Sequence, residues 1–152
     1  MANYNFRKDL IEGEEGERIV LTDLESMGGK FISDNKDNRY DLLISKNGKE
    51  ITYEIKTDVL CSPSYDTGNI FLEYECRGKT SGIMVCQADW FVTYFKHFNE
   101  LWYIKTKDLL NLIETESLRS VGNSGDEGSN TKGYLLSKNK YKSHFKVRTI
   151  NG

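Results

Sequence analysis

The stretch from Asn38 to Asp58, NRYDLLISKNGKEITYEIKTD, constrains the fold more than any other part of the chain. At its centre is Asn47-Gly48, which favours a type I′ turn because both central residues of that turn need φ > 0. With this pair at the tip, Lys46 faces Lys49, Ser45 faces Glu50, Ile44 faces Ile51, Leu43 faces Thr52 and Leu42 faces Tyr53. One step further, the same register sets Asp41 opposite Glu54. Side chains alternate along a strand. Leu42, Ile44, Ile51, Tyr53 and Ile55 therefore share an apolar face, and Asp41, Glu54 and Lys56 share the other.

Directly opposed residues have Cβ atoms about 4.5–5.5 Å apart, and like charges there repel. Two carboxylates so placed, with an ammonium two residues along, have the makings of a divalent-cation site. Mg²⁺ is typically held by one or two carboxylates, with water and phosphate oxygens completing its shell. The blander reading is a solvated polar face on which Lys56 neutralises the acids.

This arrangement resembles the PD-(D/E)XK nuclease superfamily. There the first acid opens the second core strand, and the (D/E)-x-K lies on the third. Asp41 matches the first acid, and Glu54-Ile55-Lys56 the second half. Tyr40 stands where the family pattern has a loosely kept proline. Residues 16–58 are also similar to archaeal Holliday-junction resolvases, through Glu17, Gly28, Asp41, Glu54 and Lys56. The tract SGIMVCQAD resembles a segment of phage-encoded nucleases in which a short helix precedes a strand. The resemblance implies a restriction-endonuclease-like core, an α/β (α+β) fold with a central mixed sheet flanked by helices. It implies Asp41, Glu54, Glu17 and the Ile55 carbonyl as metal ligands, and Lys56 acting on the attacking water. The implied cofactor is Mg²⁺, with Mn²⁺ as a substitute, and the implied partner is DNA, with a homodimer as an option.

The 152 residues suit a single domain spanning 1–152 with a sizeable core. No apolar run approaches the ~18 residues of a membrane span. The N-terminus, MANYNFRKDL, is polar and unlike a signal peptide. Cys61, Cys76 and Cys86 are odd in number and lack CxxC spacing, which argues against a disulfide framework or a zinc site. Reduced thiols in the cytoplasm are expected, a host's cytoplasm if the chain is phage-encoded. Net charge is −2, unusual for a nucleic-acid binder. The charge is polarised, however. Residues 132–152 hold six basic side chains and no acid, leaving 15 basic against 23 acidic elsewhere, a net −8. Lys138, Lys140 and Lys142 in that tract are candidate phosphate contacts. So are Arg77 and Lys79 in the loop RGKTSG, which lacks Walker A spacing.

Residues 7–28 read as a helix with an acidic early part and Gly28-Gly29 at its end. Its apolar stripe is Leu10, Val20, Leu21, Leu24 and Met27. Glu17 falls within that stripe by spacing, an odd place for a carboxylate unless it serves the site or pairs with Lys30 or Arg39. Glu14 and Glu15 compete for the role. Lys30–Ser33 reads as a strand and 34–38 as a polar turn. Val59–Asp66, with the chain's one proline, is a loop leaving the site, either a substrate contact or a plain connector. Asn69–Cys76 alternates as a strand; its Glu73 and Glu75 fit a solvated face better than the site. Trp90–Phe95 and Leu101–Thr106 are aromatic-rich strands, and Lys107–Glu116 is an amphipathic helix. Residues 119–133, rich in Gly, Ser and Asn, read as a flexible loop. The rest docks as strand, Lys-rich turn or helix, and strand. The expected activity is Mg²⁺-dependent hydrolysis of DNA phosphodiesters, of junction-resolving or repair type. The alternative is a nucleic-acid-binding or assembly protein without catalysis.

Overall fold

The computed structural model describes residues 2–34, 39–124 and 130–150. In chain order, helix α1 (Ala2–Ser26) leads into strands β1 (Lys30–Ser33), β2 (Leu42–Lys46), β3 (Lys49–Asp58), β4 (Asn69–Cys76) and β5 (Lys79–Thr80). A 3₁₀ turn (Gly82–Val85) precedes β6 (Trp90–Phe95) and β7 (Glu100–Lys105). Helix α2 (Thr106–Thr115), β8 (Arg119–Ser124), β9 (Thr131–Ser137), short helix α3 (Lys138–Tyr141) and β10 (Lys146–Thr149) complete it. The fold is α+β with a central mixed sheet.

The central sheet has six strands in the order β1-β2-β3-β6-β7-β10. Its seed is the Asn47-Gly48 hairpin. Asn47 has φ 52° and Gly48 φ 77°, as a type I′ turn requires, and the pairs run from Lys46↔Lys49 to Leu42↔Tyr53. β3 then pairs in parallel with β6, the one parallel pairing in the sheet. A parallel pair needs a long crossover, and here residues 59–89 carry β4 and β5 within it.

α1 covers one face of the central sheet. Val20 and Leu24 pack there with Leu42, Ile44, Tyr53, Ile55, Val92 and Tyr94. The helix stops where expected. Gly28 has φ +94°, the Gly29 amide reaches the Leu24 carbonyl at 2.9 Å, and the Gly28 amide reaches that of Glu25 at 3.1 Å, the Schellman closure. Its start differs: the helix begins at Ala2 and no acid lies in its first turn. Nothing before Gly13 interrupts it, so Glu12, Glu14 and Glu15 sit mid-helix, away from the positive end of the dipole.

The other face packs Phe91, Phe95, Trp102 and Ile104 against Leu109 and Leu112 of α2 and against Ile70, Leu72 and Leu136. The last three belong to a second, four-stranded sheet, β5-β4-β9-β8, which local sequence patterns do not foretell. It corrects the loop expected at 119–133. Arg119–Ser124 and Thr131–Ser137 are paired antiparallel strands, while residues 125–129 lie outside the described residues, as do 35–38 of the polar turn. β8 is an edge strand whose ladder carries it despite an unpatterned sequence, since strand preference depends on context.

Candidate active site

β3 presents Glu54 and Lys56 on the face opposite α1. The Lys56 ammonium lies 3.1 Å from Glu54 Oε2, with the Glu54 side chain 18% exposed and that of Lys56 50% exposed. Asp41 comes from just before β2. A plain ladder would set it opposite Glu54, but the structure differs in one step. The Asp41 amide donates to the Tyr53 carbonyl at 2.9 Å, although Tyr53 already pairs with Leu42. Two residues therefore oppose one, the pattern of a β-bulge, which re-aims a side chain. Asp41 Oδ2 accepts the Ile55 amide at 2.7 Å, so this carboxylate is tied to the strand segment between Glu54 and Lys56.

Glu17 lies on α1, and its charge is felt by Glu54. The neighbouring residue explains how: Gly16 is buried, and a Cβ there would collide with Thr57 Oγ1. The helix lies directly on β3 at that point. Glu14 is exposed, and Glu15 is engaged by Lys96 at 3.2 Å. Glu17 is the acid of the three whose charge reaches Glu54.

The electrostatics describe a crowded acidic site. Burial pushes the Glu54 carboxyl above the ordinary carboxylate range; Lys56 opposes this, and the charges of Asp41 and Glu17 add to it. For Lys56, whose side chain is half-exposed, the partial loss of water around the ammonium would alone lower its pKa. Glu54 outweighs it, helped by Asp41 and Glu73, and the net shift is upward. Glu73 is thus felt at the site, contrary to the expectation of a solvated face. It and Glu75 part company at an irregularity in the β4–β9 ladder. Glu73 accepts a hydrogen bond from Ser81 at 2.8 Å, whereas Glu75 pairs with Lys132 at 3.2 Å.

Among the described residues, no group of three or more His, Cys, Asp or Glu side chains is placed to hold a metal ion by itself. Asp41 and Glu54 carry hard oxygen donors, the type Mg²⁺ takes when water and phosphate complete its shell.

The candidate DNA contacts separate. Arg77 (φ 52°) and Lys79 are exposed at the β4–β5 turn. Lys140 and Lys142 are exposed on and just after α3. Lys138 is turned inward: its ammonium lies 4.3 Å from the Phe95 ring centroid and 4.7 Å from that of Phe98, 3.3 Å from Asp66, with the side chain 11% exposed. It is committed to the protein, because an aromatic box and a carboxylate already satisfy it.

No family model and no curated protein matches the sequence. The structure is similar to that of a bacterial homing endonuclease, I-Ssp6803I, with a TM-score of 0.53 and 14% identity over 86% of this chain and 79% of that one. At that identity the likeness shows the fold alone. It is restriction-endonuclease-like. No helix among the described residues is long and apolar enough to cross a membrane.

Proposed function

We propose that the protein is a Mg²⁺-dependent deoxyribonuclease that hydrolyses phosphodiester bonds, of the junction-resolving or repair type, with Mn²⁺ able to replace Mg²⁺. The observation that carries this reading is the grouping of Asp41, Glu54 and Lys56 at one place on the hairpin, with the charge of Glu17 felt there, in a restriction-endonuclease-like fold. Asp41 and Glu54 would hold the cation, with the Ile55 carbonyl and Glu17 beside them. Bound there, it supplies Lewis acidity and neutralises charge on the scissile phosphate. Glu54 holds the Lys56 ammonium, which would donate a hydrogen bond to the attacking water or to a phosphate oxygen. Arg77, Lys79, Lys140 and Lys142 grip the DNA backbone.

Cleavage of single-stranded, duplex, nicked and branched DNA with and without Mg²⁺ tests this. Asp41→Asn should abolish cleavage. Lys56→Ala should cut the rate strongly and leave binding nearly intact; an equal loss of both would make Lys56 a phosphate anchor. Among the described residues no third ligand side chain joins Asp41 and Glu54, which favours a second reading, a DNA-binding or assembly protein without catalysis. DNA binding without cleavage in any divalent cation would select it.

A further inference from the structure

A cleft of about 340 Å³ opens beside Lys56, between the central sheet and the second sheet. Lys56, Asp58 and Glu73 contribute its charge, and Val59, Leu60, Phe71 and Phe91 its apolar walls. The volume is at the lower end of the ~300–1,000 Å³ of small-ligand sites, suited to one nucleotide and far too small for a duplex. A phosphate is a poor occupant, since the two acids Asp58 and Glu73 outnumber the one cation, Lys56, in the lining. A flat, neutral group with an N–H to donate suits these walls.

We propose that the cleft receives one unpaired nucleobase of the DNA, next to the bond that is cut. This rests on the nuclease reading and specifies its substrate class: strands with an unpaired or extruded nucleotide. Three features build the pocket. Phe71 is 37% exposed, and its ring lies over Gly133, where a Cβ would collide with it; that backing holds a ring face for a base to stack on. Leu60 is 67% exposed while the next residue, Cys61, is 1% exposed. Asp58 Oδ1 accepts both their amides at 2.9 Å, so the loop is pinned and Leu60 stands at the rim as an apolar wedge of the kind that unstacks base steps. Ser81 fixes the Glu73 carboxylate through Oε2, leaving the second oxygen to accept from an exocyclic amine. Adenine, cytosine and guanine carry one and thymine does not.

The test uses the full chain and duplexes with one unpaired 2-aminopurine. With metal chelated, stacking in the cleft should change the probe's fluorescence on binding, and Phe71→Ala should remove the change. In Mg²⁺, a duplex with one unpaired adenine should be cut with kcat/KM about tenfold or more above its fully paired equivalent. Leu60→Ala should bring that ratio toward one; the side chain removed is exposed, so the fold should survive the change, and a thermal melt checks it. Unchanged fluorescence, or a ratio near one in the unaltered protein, overturns the proposal. Cleavage of paired duplex without a fluorescence change would defeat the proposal and leave the nuclease reading standing. A fluorescence change without cleavage in any divalent cation would overturn the nuclease reading, and with it the placement of the base beside a cut bond.

Discussion

Glu54 occupies a place where its own charge is unfavourable. Its pKa is raised by burial, with Asp41 and Glu17 adding to the effect, so the folded state holds the Glu54 proton more tightly than the unfolded chain does. Below the ordinary value of 4.5 the residue is protonated in both states; as pH rises through the folded-state value, stability is lost. Glu54→Gln should therefore raise the Tm in metal-free buffer at about pH 8, with the difference vanishing at about pH 4. A bound divalent cation should restore the loss in the unaltered protein and raise its Tm by mass action, and Asp41→Asn should abolish that gain. Among the helix acids, Glu17→Gln should slow cleavage more than Glu14→Gln or Glu15→Gln. Glu15→Gln removes only the partly exposed pair with Lys96, typically worth about 0–1 kcal/mol. Equal slowing by all three would remove Glu17 from the site.

At the scale of elements, the site depends on two close approaches. One is the bulge that sets Asp41 and Leu42 against Tyr53. The other is the approach of Gly16 to Thr57, which seats α1 on β3. Gly16→Ala would gain helix propensity on an isolated helix, yet the methyl has no room here. We expect a net destabilisation of about 1–3 kcal/mol, the usual cost of overpacking, and slower cleavage as Glu17 is lifted away; denaturant unfolding reads the first and the cleavage rate the second. The C-terminal strand is tied in by a buried acid. Asp23 accepts from Arg148 Nε at 2.8 Å and from the Tyr103 hydroxyl at 2.8 Å. Burial, with that hydrogen bond, pushes the Tyr103 pKa far up, so it remains a donor through the alkaline range.

Across the whole molecule, folding undoes much of the charge polarisation seen along the chain. Of the six cations in the acid-free tract, Lys132 meets Glu75, Lys138 meets Asp66 and Arg148 meets Asp23, while Lys146 lies 5.6 Å from the Trp90 ring centroid. Lys140 and Lys142 remain exposed. Reversing those two to Glu should weaken DNA binding uniformly across sequences and flatten the salt slope by roughly 0.9 for each phosphate that is no longer neutralised. Lys138→Ala should instead cost about 2 kcal/mol of stability and leave the slope nearly unchanged. The opposite pattern would return Lys138 to the DNA interface.

The hairpin, its register, the end of α1 and the strand carrying Glu54 and Lys56 are legible in the amino-acid order. These are local matters, set by Asn47-Gly48, by alternation over a few residues and by Gly28. Tertiary structure alone decided the rest. The bulge at Asp41 emerges from a carboxylate bonding the Ile55 amide across the hairpin. β8 has no pattern of its own and is a strand because β9 pairs with it. Glu73 turns toward the site at an irregularity in its ladder, while Glu75, two residues on, turns to Lys132. Asp23 carries no local signal and Lys138 reads in the sequence as a phosphate contact, yet both are held inside by partners 125 and 72 residues away. Spacing along the chain reveals neighbours a few residues apart, whereas such partners meet only once the sheets have assembled and excluded water between them.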